Sequence, residues 1–161
     1  MKIFAILLMI GASAAAAAQA PPARIVAASG RWAALAGPRH CDAASLSMLP
    51  PSKTRLQGRA SLTFDGRGRH ALFAAALSKP VAPTASVMLT IDDESFLLIA
   101  RGLGAWSRGP VQQASIVAAL RRATRMRIEG RSVRGLRFID RYDLAGAPTA
   151  IDAAAACAAS L

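Results

Sequence analysis

A chain of 161 residues with 20 basic and 9 acidic side chains carries a formal charge of +11, and more than half of its residues are hydrophobic. This length suits one domain with one core and excludes a large multidomain assembly. Its apolar runs are shorter than the roughly 20 residues that span a membrane, so no integral membrane protein is expected. The positive charge favours anionic partners such as lipid, lipopolysaccharide, acidic glycan or nucleic acid.

The first 18 residues have the three parts of a secretory signal peptide. Lys2 supplies the positive charge, residues 3–10 form a short apolar segment, and small residues lead to a preferred cleavage site after Ala18. Cleavage there removes one Lys and no acid, so 19 basic residues remain against 9 acidic ones, a balance of +10. We therefore predict a periplasmic or secreted protein.

The segment after the signal peptide is predicted to be loosely structured. Residues 19–30 form a flexible arm rich in Pro and Ala, of which residues 25–30 either begin the fold or remain loose. A single β-rich globular domain is expected at residues 31–161. Its first two strands are predicted at 31–35 and 43–48.

The middle of the chain is predicted to contain two β-hairpins, because alternating apolar residues flank short turn sequences. Their strands are predicted at 59–64, 70–77, 86–91 and 95–100. The sequence DGRG at 65–68 forms the first turn, and the acidic sequence DDE at 92–94 forms the second. The segments 79–84 and 102–110 are predicted to be loops.

The last third of the chain adds both helices. An apolar stripe at helical spacing predicts a helix at 111–123. Two further strands and the closing helix are expected at 126–129, 136–144 and 150–159. Thr149 is predicted to cap the closing helix, with Asp152 in its first turn. The elements together predict an α+β fold, mainly antiparallel β in a sandwich or partial barrel of hairpins, with two late helices.

No catalytic motif stands out, so we predict no enzymatic activity, no catalytic or metal-binding residues and no cofactor. The alternative is a hydrolase of unknown substrate, whose candidate residues are His70, Asp140, Asp92, Asp93 and Glu94. Asp140 falls on the apolar face of its strand, where a carboxylate needs a partner. An Asp held by an Arg or by backbone N–H groups is favoured there, and a solvated hairpin tip is favoured over a calcium site at the acidic turn.

The chain contains two cysteines, Cys41 and Cys157. An even number of cysteines in an exported chain favours a disulfide, which would tie an early segment to the closing helix. Two free thiols or a metal site involving His40 or His70 are the alternatives. Because neighbouring residues of a strand point to opposite faces, a reactive pair of His40 with Cys41 is not favoured.

Eight arginines fall between residues 121 and 141, which is the one concentration of positive charge. The segment lacks the interleaved aromatic side chains of a nucleic-acid stacking platform, so no specific nucleic-acid recognition is predicted. A candidate patch for an anionic partner consists of Arg121, Arg122, Arg125, Arg127, Arg131, Arg134 and Arg137. The alternative is an Arg-rich surface without a partner, set by the base composition of the coding sequence.

Several segments carry a resemblance to a known family: Trp32 followed by Cys41, SVMLTIDDESFLLIARG with Ala105-Trp106, ASIVAALRRATRMRIEG, and LRFIDRYDLAGAPTAIDAAAACA. They resemble the invasion-associated locus B family of exported bacterial proteins over about residues 32–158. The resemblance implies a periplasmic or cell-surface location, an antiparallel β-rich fold and no known catalytic residues. We therefore expect a non-enzymatic binding or structural module whose partner is an unknown protein or an anionic envelope component.

Overall fold

The computed structural model describes residues 23–66 and 71–161. Within them the elements are β1 (Arg24–Ser29), β2 (Trp32–Ala36), β3 (His40–Leu46), β4 (Arg59–Asp65), β5 (Ala71–Val81), β6 (Val87–Ile91), β7 (Glu94–Trp106), α1 (Pro110–Arg122), β8 (Arg125–Arg131), β9 (Arg137–Asp143) and α2 (Ala147–Ala159). All of these strands pair antiparallel in one sheet of order β1-β2-β3-β4-β5-β7-β6-β8-β9. The predicted fold class, mainly antiparallel β with two late helices, is confirmed.

The first half of the sheet is covered on one face by α2. Along β3 and β4, alternate residues such as Ala43 and Leu62 are fully buried, as the two-residue period of a strand requires. The buried face of α2 consists of alanines with Ile151 as its one large side chain. Such small side chains let the helix lie close to the sheet, but they bury little apolar area per residue.

Two long-range ties hold α2 and the end of β9 against the first strands. Cys41 on β3 forms a disulfide with Cys157 on α2, with the two Cα atoms 6.1 Å apart, which confirms the predicted bond. The indole N–H of buried Trp32 on β2 donates a hydrogen bond of 2.9 Å to the carbonyl oxygen of Asp143. These two contacts link β2 and β3 to the end of β9 and to α2.

The second half of the sheet curls because β7 changes partner along its length. Its N-terminal part pairs with β6, and its last residues pair with β5. The register between β5 and β7 breaks between Ala76 and Val81 of β5. The four residues in between leave β7 and are free to contact another part of the chain.

The displaced residues of β5 reach β9 and the turn before it. The backbone N–H of Ser78 donates to Oδ2 of Asp140 at 2.9 Å. The carbonyl oxygen of Pro80 accepts the N–H of Val133, also at 2.9 Å. Because these bonds bring the far side of the sheet back to β5, the second half is a partial barrel.

Two segments predicted to be loops are strand in part. β5 extends to Val81 and β7 extends to Trp106. A proline interrupts a strand because it lacks an N–H group, but Pro80 lies where β5 has already left β7, so no ladder bond is lost. Trp106 continues the pairing of β7 and lies opposite Ala74.

The helix α2 begins earlier than predicted, and the expected cap at Thr149 is wrong. Its N-cap is Gly146, and Pro148 occupies the first turn, where a proline costs no hydrogen bond. Asp152 therefore lies beyond the first turn. Its carboxylate pairs with the side chain of Arg121 on α1 at 2.7 Å instead.

Two glycines bring the β1–β2 turn into backbone contact with the loop before α2. Gly30 and Gly146 both have positive φ angles, 56° and 87°. A Cβ atom on Gly146 would lie 2.0 Å from the carbonyl oxygen of Ser29, and one on Gly30 would lie 2.2 Å from that of Ala145. The contact between the two segments therefore depends on both glycines.

Two alternatives were predicted for residues 25–30, and the structure decides between them for most of this segment. β1 pairs with β2 from residue 24, so residues 25–29 begin the fold rather than remain loose. The predicted signal peptide at 1–18 lies outside the described residues. In the described ranges, no helix is long and apolar enough to cross a membrane.

Candidate functional site

The strands β8 and β9 separate an apolar inner face from a basic outer face. On the inner side Met126, Ile128, Phe138 and Tyr142 are buried. The alternate positions point outward, as the period of a strand requires. Five arginines occupy these outward positions and together are called the basic face: Arg125, Arg127, Arg131, Arg137 and Arg141.

The register of β8 and β9 places arginines directly opposite one another. Arg127 faces Arg141, and Arg131 faces Arg137. Like charges at opposed positions of antiparallel strands are destabilising. The carboxylate of Glu129 lies between the two pairs, 2.8 Å from Arg137 and 3.9 Å from Arg127. This one carboxylate offsets only part of the repulsion.

In the described part of the chain, the remaining arginines of the basic face form no salt bridge with a carboxylate, although the charge of Arg125 acts on Asp92. Among the described residues, neither Arg125 nor Arg141 has a salt bridge within 4 Å. Arg131 donates to a backbone carbonyl oxygen at 3.0 Å. Asp143, opposite Arg125, uses its Oδ1 to accept the N–H of the loop residue Ala145 at 2.9 Å. The face therefore keeps an excess of positive charge.

Four of the seven arginines in the predicted patch belong to the basic face, and three do not. Arg121 and Arg122 lie on α1, where they pair with carboxylates of α2 and of the start of β7. Arg134 lies in the turn between β8 and β9. Arg141, the last arginine of the concentrated segment, joins the face from β9.

A pocket of about 390 Å³ opens beside the basic face. Arg125, Arg127 and Arg141 line it together with Met48 and Thr90, and the two aspartates of the β6–β7 turn also belong to its lining. Each guanidinium group can donate hydrogen bonds to an anionic group, and the three arginines outnumber the two aspartates of the lining. The pocket is thus suited to a phosphate- or carboxylate-bearing ligand.

The acidic turn ties β6 and β7 to the start of β8. The carboxylate oxygens of Asp92 accept the N–H groups of Thr124 and Arg125 at 3.1 and 3.0 Å. These hydrogen bonds hold the pKa of Asp92 below its ordinary value. Glu94 pairs with Arg122. Both acids therefore have structural partners.

The connection between β3 and β4, residues 47–58, crosses from β9 to β5 and is called the flap. The N–H of Met48 donates to a carbonyl oxygen of β9 at 2.8 Å, and that of Leu56 donates to one of β5 at 3.2 Å. At its base, the Ser47 N–H donates to the carbonyl oxygen of Gly58, whose own N–H donates to the Ser47 hydroxyl. The flap is therefore anchored at both ends.

Three polar side chains form a buried cluster beneath the flap: Ser78, Asp140 and Tyr142, each at most 2% exposed. Asp140 accepts the backbone N–H of Ser78, which matches the predicted environment of this carboxylate. The Ser78 hydroxyl also lies beside the carboxyl group without completing a hydrogen bond, and among the described residues the Tyr142 hydroxyl has no partner. A Cβ on Gly58 would lie 2.8 Å from the Asp140 carboxyl group, so the flap covers the cluster only with glycine there.

Burial changes the acidity of two members of this cluster. It raises the pKa of Asp140 above the ordinary value, although Ser78 and the positive charge of Arg55 act in the opposite direction. Burial and the neighbouring carboxylate also raise the pKa of Tyr142. The cluster thus favours a protonated carboxyl group more than solvent does.

Asp140→Asn is expected to remove a pH dependence of stability. The folded-state pKa of Asp140 lies above the value of 3.8 that applies to an exposed carboxyl group. Its contribution to stability is therefore complete below that pH and is lost as the pH rises through the folded-state pKa. Asn cannot ionise, and its Oδ1 can still accept the Ser78 N–H. Denaturant unfolding between about pH 4 and about pH 8 should show that the free energy of unfolding of the variant increases relative to that of the wild type as the pH rises.

Asp92→Asn is a control for which the stability difference from the wild type should depend on pH in the opposite direction. Because the folded-state pKa of Asp92 is lowered, its contribution is present above pH 3.8 and is lost as the pH falls through the lowered pKa. This variant should be less stable than the wild type near neutrality, with a difference that fades at low pH. A constant difference between Asp140→Asn and the wild type at every pH would contradict the raised pKa.

Comparison with known proteins leaves the site to be judged from its own geometry. No family model, curated protein or solved structure matches the chain. In the ranges that the structure describes, no three His, Cys, Asp or Glu side chains gather where they could hold a metal ion. Of the hydrolase candidates, His70 lies outside the described residues, and Asp140 lies buried beneath the flap.

The sequence interpretation missed three residues around the site. Ser78 reaches Asp140 only through the break in the β5–β7 register, which no local pattern marks. Met48 belongs to the flap, whereas the sequence predicts a strand through residue 48. Gly58 is an isolated glycine directly before a predicted strand. Such glycines often mark a close approach of the backbone to another group, so Gly58 could have indicated the contact between the flap and the buried cluster.

Proposed function

We propose that this protein is an exported periplasmic or cell-surface module without enzymatic activity, which binds a polyanionic envelope component through its basic face. The observation that carries the proposal is the pairing of Arg127 with Arg141 and of Arg131 with Arg137, with Glu129 as the carboxylate between them. A polyanion on this face would place negative charge between the opposed guanidinium groups and offset their repulsion.

Three observations support the location. The Cys41–Cys157 disulfide belongs to a class of bond that persists in oxidising compartments such as the periplasm. The first 18 residues have the charge and apolar pattern of a signal peptide. The resemblance to the invasion-associated locus B family implies the same location.

Replacing Arg127 and Arg141 together with Gln is expected to weaken binding to heparin, a soluble polyanion, by roughly 30-fold at low ionic strength. Each arginine near an anionic surface contributes about 1 kcal/mol, and two such contributions correspond to that factor. The free energy of unfolding should not fall, because the change removes a repulsive pair. Titration with heparin measures the affinity, and denaturant unfolding measures the stability.

The matched control is Arg121→Gln with Arg122→Gln, which removes the same charge from α1. These side chains already pair with acids, so this variant should bind heparin nearly as well as the wild type. Raising the salt concentration should weaken binding of all three proteins, since exposed charges are screened. Equal losses in the two double variants would show that net charge, and not the basic face, determines binding.

A further inference from the structure

The flap exposes apolar side chains to solvent although it is anchored at both ends. Met48, Leu49 and Leu56 are 52%, 42% and 56% exposed. Single exposed apolar residues are common on protein surfaces, but three in one segment of twelve residues form a local concentration. An exposed apolar group with a polar rim is typical of an interaction site.

The apolar flap adjoins the basic face. The N–H of Met48 donates to the carbonyl oxygen of Arg141 at 2.8 Å, so the two residues are held side by side. Met48 also lines the pocket that Arg125, Arg127 and Arg141 form. Met48 thus places an exposed apolar side chain beside these guanidinium groups, and the next residue, Leu49, is exposed as well.

The anchoring of the flap limits the entropy that docking would cost. Besides its bonds to β5 and β9, the flap contains a backbone bridge between Ser52 and Arg55. The Arg55 side chain donates to the carbonyl oxygen of Pro50. The apolar side chains are thus presented on a preformed loop, and a preformed loop loses less freedom on binding than a flexible one.

A soluble polyanion would bind the arginines of the basic face but would leave the apolar side chains of the flap exposed. Nucleic acids and acidic glycans offer negative charge, but the basic face has no aromatic side chain on which a base could stack. A layer of anionic lipid offers phosphate groups and, directly beneath them, an apolar region. The combination of arginines and exposed Met and Leu side chains fits the lipid better.

We propose that the flap and the basic face together form a peripheral docking surface for an anionic lipid layer. Arg125, Arg127 and Arg141 hold the phosphate-bearing headgroups, while Met48 and Leu49 enter the boundary with the acyl chains. The inference rests on the proposed function, because it names the polyanion that the basic face binds.

The test compares binding of the disulfide-bonded protein to vesicles and to heparin. The vesicles contain phosphatidylglycerol with phosphatidylcholine, or phosphatidylcholine alone. Met48→Ser with Leu49→Ser should weaken binding to the anionic vesicles at least about tenfold, since each apolar side chain removed from water contributes to binding. Heparin binding of the same variant should fall much less than vesicle binding, because the anionic groups of heparin are bound by arginines whose charge has not changed.

Val111→Ser with Leu161→Ser is the matched control, because both residues are exposed and lie outside the flap. This variant should bind the anionic vesicles like the wild type. Raised salt should remove heparin binding but leave part of the wild-type vesicle binding, since apolar contacts are not screened. That residual binding should be absent in the Met48→Ser, Leu49→Ser variant.

The outcomes separate the two proposals. If the flap variant binds anionic vesicles like the wild type, the lipid inference is wrong while the basic face stands. If the flap variant loses heparin and vesicle binding equally, the flap serves a soluble polyanion and the lipid inference is again wrong. If Arg127→Gln with Arg141→Gln leaves both kinds of binding intact, the proposed function fails and the inference fails with it.

Discussion

Replacing Cys41 and Cys157 together with alanine is expected to lower the free energy of unfolding by about 4–5 kcal/mol. The disulfide joins residues 116 positions apart, and a cross-link over such a long segment strongly restricts the unfolded chain. Its contribution is large relative to the packing of α2, whose buried face is mainly alanine. Alanine is preferred to serine because Cys41 is fully buried and a hydroxyl there would need a partner.

Denaturant unfolding of the oxidised wild type, the reduced wild type and the double variant measures this effect. Reduction should bring the wild type to the stability of the variant, and reductant should leave the variant unchanged. A loss smaller than about 1 kcal/mol would mean that the contacts of α2 suffice to hold the helix without a covalent tie.

Gly146→Ala is expected to destabilise the protein by about 2–5 kcal/mol. The left-handed φ of 87° costs a residue with a Cβ about 1–2 kcal/mol. The new Cβ would also lie 2.0 Å from the carbonyl oxygen of Ser29, and the backbone shift that relieves such overpacking costs about 1–3 kcal/mol. The two segments would separate near the hydrogen bond between Trp32 and Asp143.

Gly135→Ala isolates the backbone contribution from the steric one. Gly135 also has a left-handed φ, of 75°, but nothing lies within 4 Å of an added Cβ. This control should lose only about 1–2 kcal/mol in the same unfolding measurement. If the two variants lose equal stability, the contact between the β1–β2 turn and the loop before α2 is less tight than the distances indicate.

Local periodicity predicted most of the individual elements. The two hairpins, the helix α1 and both closing strands follow from apolar alternation and turn sequences that involve only neighbouring residues. The even cysteine count led to the disulfide between Cys41 and Cys157 for a chemical rather than a geometric reason. Each of these signals is contained in the sequence itself.

The features that local periodicity did not reveal depend on contacts between distant residues. The sequence around Pro80 predicted a loop, because a proline usually interrupts a strand. The strand continues there because β5 has already separated from β7, and residues close to Pro80 in the sequence do not reveal this separation. Thr149 looked like a good cap, whereas contact of Gly146 with the β1–β2 turn determines where α2 begins. The concentration of arginines is evident from the sequence. That Arg127 lies opposite Arg141 is known only from the register of β8 and β9.

The covering of the first strands by α2 has a consequence for the order of folding. β1 to β4 bury their inner face against α2, which the ribosome synthesises only after all of these strands. The partner of Cys41 follows 116 positions later. Contacts of such long sequence separation form slowly, so the nascent N-terminal half has no complete core while translation continues. For a chain exported as proposed, this delay favours threading through a translocation channel before the fold closes.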